Sequence, residues 1–270
     1  MLYLVRHPAP PLSAFVANLW CFSDAPPHAR ERIVPSGTLE LVVNLHEDEF
    51  RIYCSLDTKL PRRFSGAIVS GAYSGFFGID TREHASVIAV HFKPGGALPF
   101  LGVPPGALAD EHVDLETLWG RRARELRERL CAAVSVEERF RILEVELVGR
   151  LARPFRRHGA VRVALDRLGR AGTSVSEIAA EVGLSHRRLI EVFTTEIGMT
   201  PKLFERVRRF QRAWALARRV DSPDWSRLAI ECGYFDQSHL IRDFTQFAGF
   251  SPSQLLRRAG PRTKDFHVAA

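Results

Sequence analysis

His46, His84 and His91, together with Cys21, Cys54, Cys131 and Cys232, are the first places to look for metal or nucleophilic chemistry in this chain. A metal held on one strand calls for a His-x-His pair, which puts two imidazoles on the same face. A carboxylate and a later histidine then complete three or four ligands. No His-x-His occurs, and His84 and His91 stand seven apart, on opposite faces of any strand running through both. The cysteines form no Cys-x-x-Cys pair, and neither a Gly-x-Ser-x-Gly elbow nor a phosphate-binding loop is present. The three histidines therefore read as structural or surface groups. Glu40, Asn44 and Tyr73 could line a pocket, but their positions fit ordinary sheet residues equally well. No catalytic residue, metal site or cofactor is expected, and the chain does not read as an enzyme.

A different chemistry is suggested by a duplication. Ser174-Val175-Ser176-Glu177-Ile178-Ala179 aligns with Asp224-Trp225-Ser226-Arg227-Leu228-Ala229, and Gly183 with Gly233. After one extra residue in the second copy, Leu189 falls on Leu240, Phe193 on Phe244, Gly198 on Gly249 and Pro201 on Pro252. Each copy reads as a helix, a glycine-bearing turn, a second helix and Gly-x-[Ser/Thr]-Pro. Ser174 with Glu177 has capping-box spacing, and Asp224 is the matching helix-start oxygen. Ala179 and Ala229 are small where the two helices approach. Gly183 and Gly233 suit a turn with positive φ. Leu189 with Phe193, and Leu240 with Phe244, are i, i+4 pairs that pack the second helix onto the first and leave its other face for reading bases. One helix-turn-helix pattern is weak; two in register, joined by a helical connector, point to double-stranded DNA.

Charge follows the same division. The net charge is +7, and residues 159–270 hold 18 Lys and Arg against 12 Asp and Glu, while residues 1–158 hold 20 against 19. The excess sits in the duplicated half, as phosphate binding requires. Cysteines without metal spacing suggest free thiols in a reducing cytoplasm, with Cys131 and Cys232 expected to be buried on helices. No charged region followed by an apolar run opens the sequence, and no run of about 18 apolar residues occurs, so neither export nor a membrane is expected.

The duplicated unit resembles the DNA-binding domain of AraC/XylS transcription regulators over roughly residues 160 to 258. Its most specific part runs from Ala229 to Phe244, followed by Gly249-Phe250-Ser251-Pro252. Arg206 to Ala213 looks like the family's long connecting helix. The resemblance implies one helix of each unit in the major groove, with the two grooves about one turn apart. It carries base-reading or phosphate-contacting positions onto Arg187, Arg188, Ile190 and Glu191 in the first unit and Gln237, Ser238, His239 and Arg242 in the second. Gln237 suits adenine; Arg242 suits guanine or a phosphate. Glu191 departs from the family, which more often has arginine there; a carboxylate can accept from cytosine N4 but repels phosphate.

The first hundred residues read as closely spaced strands: Phe15 to Phe22, Leu39 to Leu45, Phe50 to Cys54, Gly66 to Ser70 and Ser86 to Phe92. Turns at Pro26-Pro27, Pro35-Ser36-Gly37, Pro61 and Pro94-Gly95-Gly96 divide them. A small barrel or sandwich follows. Val34 to Leu45, Phe92 to Gly96 and Phe100 to Pro104 resemble an amino-terminal domain of some regulators of this family, which implies a cupin-like sensory fold. Leu115–Val134 and Glu137–Phe155 have helical spacing, with Ser135 and Glu138 as a second candidate capping box. Phe140, Leu143, Leu147 and Leu151 form one apolar stripe, suited to an internal core or to a homodimer interface. Arg153 to Gly159 reads as a linker.

These readings assemble into an α+β chain. Residues 1–110 form a β-rich sensory, cupin-like domain, 111–158 a helical linking or dimerisation segment, and 159–260 an all-α double helix-turn-helix domain. The function expected is that of a sequence-specific DNA-binding transcription regulator responding to a small-molecule effector. RNA polymerase is a further partner if the chain activates. The alternatives are a constitutive DNA binder with a structural barrel, and a barrel enzyme carrying an accessory DNA-binding domain.

Overall fold

The computed structural model describes residues 2–23, 30–53, 60–81, 84–151, 157–168, 173–220, 222–258 and 267–269. Pro26-Pro27, Cys54 and residues 153–156 of the expected linker lie outside them. The amino-terminal strands are β1 (Leu2–Arg6), β2 (Val16–Ser23), β3 (Arg30–Ile33), β4 (Glu40–Asn44), β5 (Glu49–Tyr53) and β6 (Arg62–Ser65). They continue with β7 (Ala67–Ser70), β8 (Phe77–Asp80), β9 (Val87–Phe92) and, after the short helix α1 (Leu98–Leu101), β10 (His112–Asp114). Two antiparallel sheets result, in the orders β1-β2-β9-β4-β7-β10 and β11-β3-β8-β5-β6, where β11 (His267–Ala269) returns from the far end of the chain. All five strands expected from residue type are present, close to their anticipated limits. The strands not anticipated are short or rich in arginine, and their local pattern is correspondingly weak.

Period-2 alternation gives the first sheet two different faces. Leu19 and Cys21 of β2, Leu41 and Val43 of β4, and Ile88, Val90 and Phe92 of β9 enter the main core. The intervening Trp20, Val87 and Ala89 form a separate small cluster with Phe22 and Val42. This second face continues as a polar row. Asn18 pairs in register with His91, His91 with Glu40, and Glu40 with Ser70, across the adjacent strands β2, β9, β4 and β7. Buried on both faces, β9 needs the apolar run Val87–Val90. Asn44 points elsewhere: its amide donates to the Glu49 carbonyl at 2.9 Å and its Oδ1 accepts from the His46 and Glu47 amides, closing the β4–β5 turn.

The main core is covered by α2 (Leu115–Trp119), α3 (Arg121–Ala132) and α4 (Val136–Arg150). The single helix expected over Leu115–Val134 is in fact two. Gly120, at φ +59°, breaks it, and the buried Trp119 indole donates to the Phe100 carbonyl at 2.9 Å. Ser135 caps α4 by accepting from the Glu138 amide, but the Glu138 carboxylate reaches the Val134 amide instead of Ser135, so the box is only half formed. On α4 the stripe Phe140, Leu143 and Leu147 is fully buried within the chain. Cys131 is exposed, contrary to expectation, because the α3 stripe turns Ala123, Leu126 and Leu130 inward and the next residue outward. Cys21 and Cys232 are buried.

The remaining helices are α5 (Gly159–Arg167), α6 (Val175–Glu181), α7 (His186–Ile197), α8 (Pro201–Ala217), α9 (Trp225–Glu231), α10 (Gln237–Ala248) and α11 (Pro252–Arg258). Their apolar faces join the same continuous core as the sheets. The two regions touch closely. Gly37 lies against Phe204 and Val207 of α8, and Gly106 against the Thr194 carbonyl of α7. Arg32 of β3 donates to the Ala248 carbonyl at the end of α10 (2.8 Å), with its guanidinium over the rings of Phe76 and Phe250. Among the described residues no helix is long and apolar enough to cross a membrane.

Candidate nucleic-acid interface

Each half of the duplication folds as two short helices around a tight turn. Ser174 and Glu177 form a full reciprocal capping box at the start of α6. Asp224 accepts from both the Ser226 and Arg227 amides at the start of α9 (3.0 and 3.1 Å). Ala179 and Ala229 are buried where the second helix crosses the first. The turn glycines have φ of +68° at Gly183 and +82° at Gly233, a conformation in which a Cβ is strained. The second helices, α7 and α10, start on Ser185 and Asp236, which accept from Arg188 and His239 amides. Both end on left-handed glycines, Gly198 and Gly249. The residue added in the second copy falls in its turn, between Gly233 and Asp236.

Leu189, Phe193 and Ile197 bury one face of α7, and Leu240, Phe244 and Phe247 the matching face of α10. The opposite faces are open. Arg187, Arg188 and Glu191 are exposed and Ile190 is half-buried; Gln237, Ser238 and Arg242 are exposed and His239 is half-buried. On α7, Arg188 and Glu191 form an ion pair of 2.9 Å, so the carboxylate that departs from the family pattern is locally neutralised. On α10, Gln237 accepts from the Ser226 hydroxyl at 2.9 Å, and Arg242 donates weakly to the Ser238 carbonyl (3.4 Å). Contacts with the sheets fall at the opposite ends: Ala72 and Pro105 against Gly198, and Arg32 against Ala248. The helix starts that carry the candidate reading groups are left unobstructed by them.

A buried charge cluster aligns the second unit on the connector. Asp243, on the inner face of α10, accepts from Arg206 of α8 at 2.6 Å and lies 3.6 Å from Arg209. Arg209 also stacks over Tyr234 and donates to His239 Nε2 (3.4 Å). Burial pushes the Tyr234 hydroxyl well above its ordinary range, helped by the nearby Asp243 charge. Sequence reasoning passed over Asp243. The signal was available: it falls on the stripe Leu240–Phe244–Phe247, and a carboxylate on a buried stripe demands a cation from the facing helix.

No group of three or more His, Cys, Asp or Glu side chains among the described residues is placed to hold a metal ion. His46 is exposed, His84 is buried against Phe50, and His91 joins Glu40 in the polar row.

Comparison with known families matches residues 178–258 to a helix-turn-helix domain and residues 5–114 to a domain of unknown function, DUF6597. No curated protein matches the chain. Similar solved structures include the C-terminal domain of AraT, a response regulator from Geobacillus stearothermophilus (21% identity, 41% of this chain and 95% of that one, TM-score 0.36). A probable AraC family transcriptional regulator from Rhodopseudomonas palustris CGA009 is 27% identical over 38% of this chain and 100% of that one, with TM-score 0.34. Unsaturated fatty acid bound ToxT from Vibrio cholerae is 9% identical over 94% of both chains, with TM-score 0.46. The chain thus carries a helix-turn-helix domain at residues 178–258, behind a DUF6597 domain.

Proposed function

We propose that this chain is a sequence-specific transcription regulator in which α7 and α10 enter successive major grooves and the amino-terminal domain reports a small-molecule effector. In this reading residues 1–110 sense, 111–158 connect and 159–260 bind DNA. The observation that carries it is the repetition of one device: cap, two crossed helices, left-handed glycine turn and an open reading face, twice in one chain. Arg187, Arg188, Ile190 and Glu191, with Gln237, Ser238, His239 and Arg242, are the assigned contact residues. The sensory role is supported by β3 and the turn after it, which pack directly on α8 and α10. Two chains joined elsewhere on their surfaces would occupy two such sites.

The test is duplex binding by the full chain. Affinity for a site selected from random DNA should fall steeply with salt, since a protein neutralising several phosphates loses orders of magnitude between about 50 and 200 mM. A folded chain that binds no duplex at low salt would end this reading.

A further inference from the structure

The turn of the second helix-turn-helix unit carries one residue more than that of the first, and the added residue is Phe235. In the first unit the Leu184 amide donates to the Ala179 carbonyl (3.0 Å), and Ser185, the cap of α7, follows at once. In the second the Tyr234 amide makes the matching bond to Ala229 (2.9 Å), and Phe235 separates it from the Asp236 cap. The unit therefore closes without the added side chain. An apolar residue just before a helix cap ordinarily folds back onto the fourth helical residue as a staple. Here Tyr234 takes the inward place: it is buried, edge-on to His239 and under the Arg209 guanidinium. Phe235 stands outside, 90% exposed, the most open large apolar side chain among the described residues of the helix-turn-helix half. A ring left in water beside a complete core forgoes the stabilisation that burial gives such groups elsewhere.

We infer that Phe235 reads thymine, its ring seated against the C5-methyl group in the major groove at the start of α10. Position selects this occupant. Phe235 lies two residues before Gln237 and three before Ser238, at the end of the reading helix that meets base edges first. In the major groove thymine is the base that presents an apolar group, and a phenyl ring is one of the side chains suited to it. The groups beside it in the chain are polar and already oriented: Asp236 accepts from the His239 amide, and Gln237 from the Ser226 hydroxyl. Ile230, 72% exposed, belongs to α9, the helix that lies across the backbone in such units instead of entering the groove. The inference rests on the DNA-reading assignment of α10 and adds a specificity-determining residue to it. Gln237 and Arg242 discriminate by hydrogen bonds, Phe235 by a methyl group. Because the ring carries no charge, it favours one sequence without raising affinity for duplex in general.

Deoxyuridine supplies the probe, since it differs from thymidine only in lacking that methyl group. A site selected by the full chain from random DNA is remade with each thymine replaced in turn. The wild-type chain should bind roughly 3- to 10-fold more weakly when the critical thymine is replaced, the worth of one buried methyl group. Phe235→Ala should lose a similar factor on the unmodified site and no longer distinguish thymine from uracil at that position. Its affinity for random duplex and its salt dependence should match the wild type, and Phe235→Leu should keep part of the preference. Tm shows that the variants fold, and the wild-type series stands alone if one does not. A selected site without thymine, a wild-type chain indifferent to every replacement, or a Phe235→Ala variant that keeps every wild-type penalty overturns the inference. So does a loss of transcription shared by Phe235→Ala and Ile230→Ala with DNA affinity intact, which assigns the ring to a protein partner. A chain that binds no duplex fails the DNA reading itself; one that selects a site but ignores methyl groups fails only this contact.

Discussion

Arg242 leaves the exposed face of α10 one turn and a half after the Asp236 cap, tethered by a long hydrogen bond to the Ser238 carbonyl. A guanidinium so placed can reorient toward guanine O6 and N7. Arg242→Ala is expected to cost about 1–3 kcal/mol on a selected site and to relax preference at one base pair. A uniform loss across all sequences would assign it to phosphate. Gln237→Ala should do less, since its amide oxygen is already engaged by Ser226. These exposed positions were named on the sequence through a family pattern, because nothing in their own spacing marks them. Caps and turn glycines were different: Ser174, Asp224, Gly183 and Gly233 announce local geometry, and each stands in the conformation its type requires. Asp243 betrays its burial by its place on the α10 stripe, but its partners Arg206 and Arg209 lie 37 and 34 residues away and carry no local sign of the pairing.

At the scale of elements, the two helix-turn-helix units are held in one relation by α8. Phe204 packs edge-on against Phe193 of the first unit, and Phe210 against Phe244 and Phe247 of the second. With Asp243 pinned to Arg206, α10 has little freedom to turn about the connector. Reading by both helices therefore fixes the spacing of the two DNA segments at about 34 Å along one face of the duplex. Inserting five base pairs between the segments turns one groove to the opposite side. Affinity of the full chain for that altered site, measured by anisotropy, should fall toward its affinity for random duplex. Undiminished binding would show that only one helix reads.

For the whole molecule, the decisive fact is the meeting of the two sheets. His112 of β10 is enclosed by Phe64 and Phe77 of the opposite sheet, and its Nδ1 is hydrogen-bonded to the Tyr73 hydroxyl. Burial holds its imidazole down at about 3, against an ordinary 6.5. Above pH 6.5 the folded and unfolded chains both carry it neutral, and nothing is lost. Between 6.5 and about 3 the unfolded chain binds a proton that the folded chain refuses. Stability should therefore fall with falling pH in that window, by up to about 1.4 kcal/mol per unit from this group. Urea unfolding at pH 7.5 and 5 measures it, and His112→Asn should flatten the dependence relative to wild type; an equally steep dependence in the variant would remove His112 as its source.

The amino-acid sequence by itself determined the helix-turn-helix repeat, because caps, turn glycines and i, i+4 apolar pairs act over a single turn of chain. It also determined the main strands, whose β-branched runs are long enough to show period 2. Only the tertiary structure decided that β4 and β9 set Glu40 beside His91, since that pair depends on register between strands 51 residues apart in sequence. Only it decided that the α4 stripe closes an internal core, a choice equally open to a helix facing another molecule. And only it joined the sheets to α8 and α10 through Arg32, Gly37 and Gln211, because a contact between distant segments leaves no periodic trace in either one.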